Sequence, residues 1–302
     1  VFASGFYRFT HKDLGSSITA WARQNIKTII QKLEDQGHHV VYSDTDSIFV
    51  CSPVPDGSPS VLKEDDDEAT IAAYEGAKQA MIDFGLDIAK QYSRDSAVLE
   101  YEKGLSVFFS HGAKKRYVGQ VVYPSEEMLI RGYETQRTDS FEYLTTSMKK
   151  TFSYALADEG EALVQHAREC VASLKNHDVD ARRLILAKSC KGRVQSNGEV
   201  DFTKDYARPE SMAQVRAAMI LIERGLGFTP GMKISYVVTD ASKRPMQVQP
   251  WIEAEDDGGI PGYDGRFYAE RMAAALGRIT EAFGWNAKEL FEGNRQTTLF
   301  SF

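Results

Sequence analysis

Residues 39–50 read HVVYSDTDSIFV. Two apolar runs flank a short polar interruption, a pattern that predicts two strands joined as a hairpin with acidic residues at its tip. Asp44 and Asp46 stand at i and i+2. Along a continuous strand that spacing would aim both carboxylates the same way. A bare pair of aspartates at a turn more often satisfies backbone N–H groups. Here both flanks are apolar, and carboxylates crowded beside apolar surface are costly unless a cation neutralises them. Hard divalent ions such as Mg²⁺ take oxygen ligands and leave room for substrate phosphates.

The 302 residues allow about two domains. With 42% apolar residues the chain can bury real cores. No apolar run approaches the roughly 20 residues of a membrane span, and VFASGFYRFT at the start is not a signal peptide. Cys51, Cys170 and Cys190 are odd in number and widely spaced. They suggest neither a disulfide framework nor a zinc site, and favour the cytoplasm. The six histidines show no metal spacing. The formal net charge of −7 is unevenly spread. Residues 31–100 hold 15 acidic and 5 basic side chains, whereas residues 182–216 hold 8 basic and 4 acidic. Local patches, not the total, decide phosphate binding.

Helical periodicity predicts a helix over 16–35, capped by Ser16 or Ser17, with Ile18, Ala22, Ile26, Ile29, Ile30 and Leu33 on one face. The acidic run 64–68 reads as a loop entering a helix over 69–91, with Ile71, Tyr74, Met81 and Ile88 inward. AVLEYEKG, LSVFF and RYVGQVVY read as strands, and helices follow over 140–157 and 160–175. Helix 209–225 starts near Pro209, KISYVV is a strand, WIEAEDDGGIPGYDG is an irregular loop, and a last helix runs over 266–284. Residues 286–295 are polar and expected to pack poorly.

Several stretches, in order, resemble family B DNA polymerases of the archaeal type. YSDTDS resembles motif C, which is far more specific than a bare DxD; SSITAWARQNI resembles the palm helix before it. LEYE resembles the acidic strand beneath the active site, and KKRY the motif that grips the primer. RGYETQRTDS resembles the base of the thumb; PESMAQVRAAMILIERG and PGMKISYVV resemble the thumb's helix and strand. The resemblance covers essentially the whole chain. It implies an α+β fold: an antiparallel palm sheet with packed helices over 1–110, then a mainly helical thumb over 111–302.

The resemblance implies DNA-directed DNA synthesis, with nucleotidyl transfer from a dNTP to a primer 3′-OH by two Mg²⁺ ions. Asp46 is then the stronger metal ligand, Asp44 assists, and Glu102 or Glu100 holds a peripheral metal or its water. Thr45, Lys114, Lys115, Arg116, Tyr117, Arg131 and Arg137 contact primer–template DNA. Clustered cations beside an aromatic bind consecutive phosphates without reading sequence, which suits an enzyme that must accept every sequence. Lys188, Lys191, Arg193, Lys204 and Arg208 track the duplex. Thr138 stands where many relatives carry a second Arg.

No motif A aspartate or motif B helix precedes motif C in this sequence. The chain therefore reads as a C-terminal piece, or as the small subunit of a split polymerase, whose partner carries those motifs and the exonuclease. The tail Gln296-Thr297-Thr298-Leu299-Phe300-Ser301-Phe302 resembles a sliding-clamp box, in which Gln296, Leu299 and Phe302 engage the clamp. Such a chain belongs in the cytoplasm at the nucleoid. Two other classes compete. A non-catalytic DNA- and clamp-binding module is disfavoured by the intact DTD, LEYE and KKRY. An unrelated metal-dependent nuclease is disfavoured by the ordered matches.

Overall fold

The computed structural model describes residues 2–94, 97–133, 140–252 and 262–294. The chain divides into two units, one made of Val1–Phe108 and Gly119–Leu129, the other of Phe109–Val118 and Ile130–Phe302.

The first unit opens with α1 (Lys12–Asp35). This helix starts earlier than its serines suggest. The His11 imidazole accepts from Leu14 N–H at 3.2 Å and caps it, while Ser17 sits inside the helix and donates to the Asp13 carbonyl at 2.8 Å. The expected apolar stripe is buried at one end only. Ile29 and Leu33 are buried, but Ile18 is 53% exposed. Next come β1 (Val40–Asp44) and β2 (Ser47–Val50), an antiparallel hairpin. Then α2 (Glu68–Tyr92) begins at Asp67, whose carboxylate accepts from Thr70 N–H at 2.8 Å. Hydrogen bonds from Thr70, its side chain foremost and its N–H next, hold the Asp67 carboxyl below its ordinary pKa. Tyr74 and Ile88 face inward as the periodicity predicts, whereas Ile71 is 43% exposed. One small cluster joins these pieces. Ile29, Leu33 and Ile88 are its buried centre, and Val40, Ile48 and Val50 of the hairpin pack against it. The hairpin thus rests on the helices through alternate apolar positions.

Strands β3 (Gly104–Phe109), β4 (Tyr117–Tyr123) and β5 (Glu127–Arg131) form a three-stranded sheet in that order. The division between the units falls within these strands. The predicted strand over AVLEYEKG is absent: residues 98–103 are irregular and pairing starts at Gly104. Tyr101 explains this. Its ring stacks on Tyr123 at 5.0 Å and fills the space that a side chain at Gly85 or Gly104 would need. Burial, then the Tyr123 hydroxyl, push the Tyr101 phenol up to about 12.

The second unit is built on α3 (Glu142–Leu156), α4 (Gly160–Lys175) and α6 (Gly265–Thr280). Between α4 and α6 lie β6 (Leu186–Ser189), the short pair β7 (Arg193–Val194) and β8 (Val200–Asp201), α5 (Ala213–Glu223), β9 (Lys233–Asp240) and β10 (Gln247–Pro250). The second sheet runs β10-β9-β6, with both neighbours antiparallel to β9. Phe141, Met148, Phe152, Leu163, Leu174, Met272 and Leu276 are fully buried between the helices. Tyr268 joins helix to sheet, its hydroxyl accepting from Val238 N–H at 3.0 Å.

Residues 286–292 do pack, against the expectation drawn from their polarity. They form α7 (Ala287–Glu292) with an Asn286–Glu289 capping box, and Leu290 is buried. A side chain at Gly277 would come within 2.7 Å of the Ala287 backbone, so glycine there lets α7 approach α6. Arg168 lies 4.9 Å over the Trp285 ring and donates to the Gly293 carbonyl at 3.3 Å. The whole is an α+β fold: helices with small antiparallel sheets.

Candidate active-site hairpin and nucleic-acid interface

Asp44 closes β1 opposite Ser47, which leaves Thr45 and Asp46 as a two-residue loop. Asp46 is therefore a turn residue, and strand alternation does not govern its direction. The turn is held locally. Asp46 N–H donates to the Asp44 carbonyl at 2.7 Å, and Ser47 Oγ donates to the same carbonyl at 3.0 Å. Thr45 Oγ1 donates to Asp44 Oδ1 at 3.0 Å. Beneath the tip, Tyr42 meets Phe49 at 5.5 Å and Phe108 at 5.8 Å, fixing the hairpin by aromatic packing.

Asp46 is exposed and Asp44 half-buried. Both offer the hard oxygen donors that suit Mg²⁺. Glu100 and Glu102 are exposed on either side of the inward-turned Tyr101. Among the described residues, no group of three or more His, Cys, Asp or Glu side chains is gathered as a metal site. Two carboxylates at one turn are fewer than the oxygen ligands such an ion takes.

The basic loop lies in the second unit. Lys114 and Lys115 form an exposed turn, Arg116 follows, and Tyr117 is buried as the first residue of β4. The cations thus precede the strand rather than ride on it. Ser110 Oγ donates to the Arg116 carbonyl at 3.0 Å. Lys115 has φ 66°. Gly132, just past β5, has φ 72°, and a Cβ there would overlap the Lys115 carbonyl oxygen and sit 3.0 Å from Arg116 Cγ. Neither Ser110 nor Gly132 carries a sequence signal of its own beyond the Arg131-Gly132 pair.

Among the described residues, four non-glycine positions have left-handed φ: Thr45, Lys115, Asp158 and His177. Asp158 and His177 directly follow the caps of α3 and α4, an ordinary way to end a helix. Thr45 and Lys115 end no helix. For a β-branched residue such as Thr45 this region is a genuine outlier. It costs about 1–2 kcal/mol and persists only where the surroundings over-determine it. Both strained loops are the ones that the sequence marks for chemistry.

The remaining basic residues are exposed. Arg131 ends β5, Lys188 lies on β6, Arg193 on β7, and Lys191, Lys204 and Arg208 on the connections. Asp201 is fastened by Thr203, whose N–H and Oγ1 both reach Asp201 Oδ1, and this holds its carboxyl below the ordinary value; Lys204 and Arg193 add to that. Arg137, Thr138, Gln296, Leu299 and Phe302 lie outside the described residues, as does most of the WIEAEDDGGIPGYDG loop.

No family profile matches the chain. Curated proteins do. DNA polymerase 2 of Aeropyrum pernix is 28% identical over 305 residues, covering 98% of this chain and 32% of that protein. The DNA polymerase of Thermococcus gorgonarius is 27% identical over 315 residues, covering 99% and 36%. Among solved structures, the family B DNA polymerase from the hyperthermophilic archaeon Pyrobaculum calidifontis matches with a TM-score of 0.57 at 22% identity, over 93% of this chain and 31% of that one. At that identity the structural match speaks for the fold. Over nearly its whole length the chain is similar in sequence to archaeal DNA polymerases, and in fold to a family B DNA polymerase. It spans about a third of the length of these relatives. Among the described residues no helix is long and apolar enough to cross a membrane.

Proposed function

We propose that this chain is the part of a DNA polymerase that holds the motif C carboxylates and grips the primer–template. One observation carries the reading: a DTD sequence forms the tip of an antiparallel hairpin in a chain that aligns with DNA polymerases over 98% of its length. Asp46 and Asp44 hold Mg²⁺, with Glu102 or Glu100 at a peripheral ion or its water. Bound there, Mg²⁺ supplies the charge that stabilises the attacking and leaving oxygens of an in-line phosphoryl displacement. Lys114, Lys115, Arg116 and Arg131 bind primer phosphates and fix the register of the duplex. The exposed cations from Lys188 to Arg208 follow the duplex further on.

The motif A aspartate, and the motif B cations that hold the dNTP, come from a polypeptide or segment outside these 302 residues. The bare apolar surface of the first unit supports this, with Phe6 at 99% and Trp21 at 81% exposure. Apolar surface of that kind marks an interaction face. The test is primer extension with Mg²⁺ after mixing the chain with a polypeptide that carries motifs A and B. The mixture should extend a primer and the chain alone should not. Asp46→Ala should abolish extension and leave DNA binding nearly intact. Near-normal extension by that variant would rule out the site.

Residues 296–302 form a sliding-clamp anchor in this reading, with Leu299 and Phe302 as apolar contacts and Gln296 as a polar one. Calorimetry of a peptide spanning residues 295–302 against a cognate clamp tests it. A Leu299→Ala/Phe302→Ala peptide that gives equal heat would sink the idea.

A further inference from the structure

The basic loop holds a left-handed, non-glycine residue that ends no helix. A lysine at φ 66° is held against a preference of about 1–2 kcal/mol. The hairpin turn at Thr45 is fastened by three short local bonds. The Lys115 turn is met by Gly132, from beyond β5, and by Ser110, at the start of the same connection between β3 and β4. Gly132 lies 17 positions on, and its missing side chain is the space through which the Lys115 carbonyl passes. The carbonyl carbon of Lys115 and Arg116 Cγ would each stand 3.0 Å from a Cβ at that position. From the other side, Ser110 Oγ ties down the Arg116 carbonyl at 3.0 Å.

We propose that Gly132 is a positioning residue for primer binding, acting through the Lys115 turn, with Ser110 as its secondary support. The inference rests on the reading that Lys114–Arg116 contact the DNA backbone. Gly132 touches no DNA in this account. By admitting the Lys115 carbonyl it keeps that residue left-handed, and so fixes the directions in which the side chains of Lys114, Lys115 and Arg116 leave the turn. Preorganised cations lose less freedom when they meet phosphates, so the turn raises affinity without adding a contact. A methyl at 132 would push the carbonyl away. Its own φ of 72° adds a second penalty for any side chain. The displaced turn would relax toward a right-handed conformation and splay the three cations.

Two measurements on the 302-residue protein test this, and they fail separately. The first is limited trypsin cleavage after Lys114, Lys115 and Arg116, which reads the turn without DNA. Gly132→Ala should speed cleavage there by about tenfold or more. Ser110→Ala, which removes only one hydroxyl donor, should speed it about fivefold. Unchanged cleavage in both would overturn the inference whatever the DNA results.

The second is the salt dependence of binding to a primer–template, set out as a double-mutant cycle. Lys115→Ala should weaken binding about eightfold at ~0.1 M salt and lower the salt slope by about one contact, with no dependence on primer sequence. Gly132→Ala should weaken binding at least as much. In the Lys115→Ala background, Gly132→Ala should cost clearly less than it does alone, because the two changes act through one turn. Full additivity would overturn the inference while leaving the DNA-binding reading in place. A silent Lys115→Ala with faster trypsin cleavage would instead overturn that reading, and the inference with it. If Gly132→Ala does not fold, Ser110→Ala carries both measurements. It should show the same coupling to Lys115 at smaller size, and additivity there would count against the proposal equally.

Discussion

The two units solve the problem of burial differently. Among the described residues, the twelve largest fully buried side chains include only one from the first unit, Leu33; the other eleven, Tyr268, Phe152 and Leu276 among them, belong to the second. Exposure runs the other way. Among the described residues, seventeen large hydrophobics are exposed, fourteen in the first unit and three, Val194, Met219 and Leu226, in the second. The second unit packs three helices and a sheet around its own centre. In the first, the hairpin shares with the two long helices a cluster of three buried side chains, and Tyr74, Val121, Val122 and Leu129 are buried besides. The acidic hairpin thus stands on a thin foundation, while the second unit carries the basic residues on a dense one. A thin foundation is what a site would have if its other half were supplied by a further segment, as proposed above.

The largest expected effect lies in the dense unit. Leu276→Ala should cost about 4 kcal/mol, because Leu276 is fully buried and its loss leaves a cavity. Native-state hydrogen exchange should then speed the slowest amides of α4 and α6 by up to about a thousandfold. A loss under about 1 kcal/mol would mean that this core relaxes freely, and the contrast between the units would fail.

A smaller effect is expected in the thin unit. Ile88 is 9% exposed, and the side chains packed against its cluster are only partly buried. Ile88→Ala should cost about 2 kcal/mol, the low end for such a change. It should raise exchange in β1 and β2 by about thirtyfold, since Ile48 and Val50 pack on that cluster. Equal costs for Ile88→Ala and Leu276→Ala would break the comparison.

The smallest effect sharpens it by pH. His166 lies on α4 in the second unit, with Cys170 Sγ 3.6 Å from its Nε2 and the Tyr154 ring 5.8 Å away. Burial, foremost, holds its imidazole below the ordinary value; Lys150 pushes the same way, and the Ser147 backbone and Glu169 oppose. The folded chain therefore binds fewer protons than the unfolded one just below pH 6.5. Stability is complete above that pH and falls as the pH drops through it. His166→Gln should flatten the fall in urea midpoint between pH about 7 and about 5.5. A steeper fall in the variant would mean that the charged form is the one favoured by folding.

Much of this molecule was legible in the chain order of its residues. Apolar runs either side of a polar tip place the hairpin over 39–50, and helical spacing places α2, α3, α4 and α6 within a few residues. These depend on neighbours one to four positions away, where steric and hydrogen-bond rules act directly. The specific residue strings also pointed to a polymerase before any fold was in hand. Other features depended on distant partners. Residues 286–292 look too polar to pack, yet α7 forms because Gly277 opens a seat and Arg168 closes over Trp285. In hindsight Asn286 and Glu289 carry the capping-box spacing that marks such a start. AVLEYEKG has the composition of a strand, but Tyr101 turns into the gap left by Gly85 and Gly104 and pairing begins only afterwards. The Lys115 turn is the clearest case. Local sequence identifies three cations and predicts that they bind phosphate. The direction they face depends on a carbonyl that fits only because residue 132 has no side chain, and steric exclusion between residues 17 apart is decided by the tertiary structure alone.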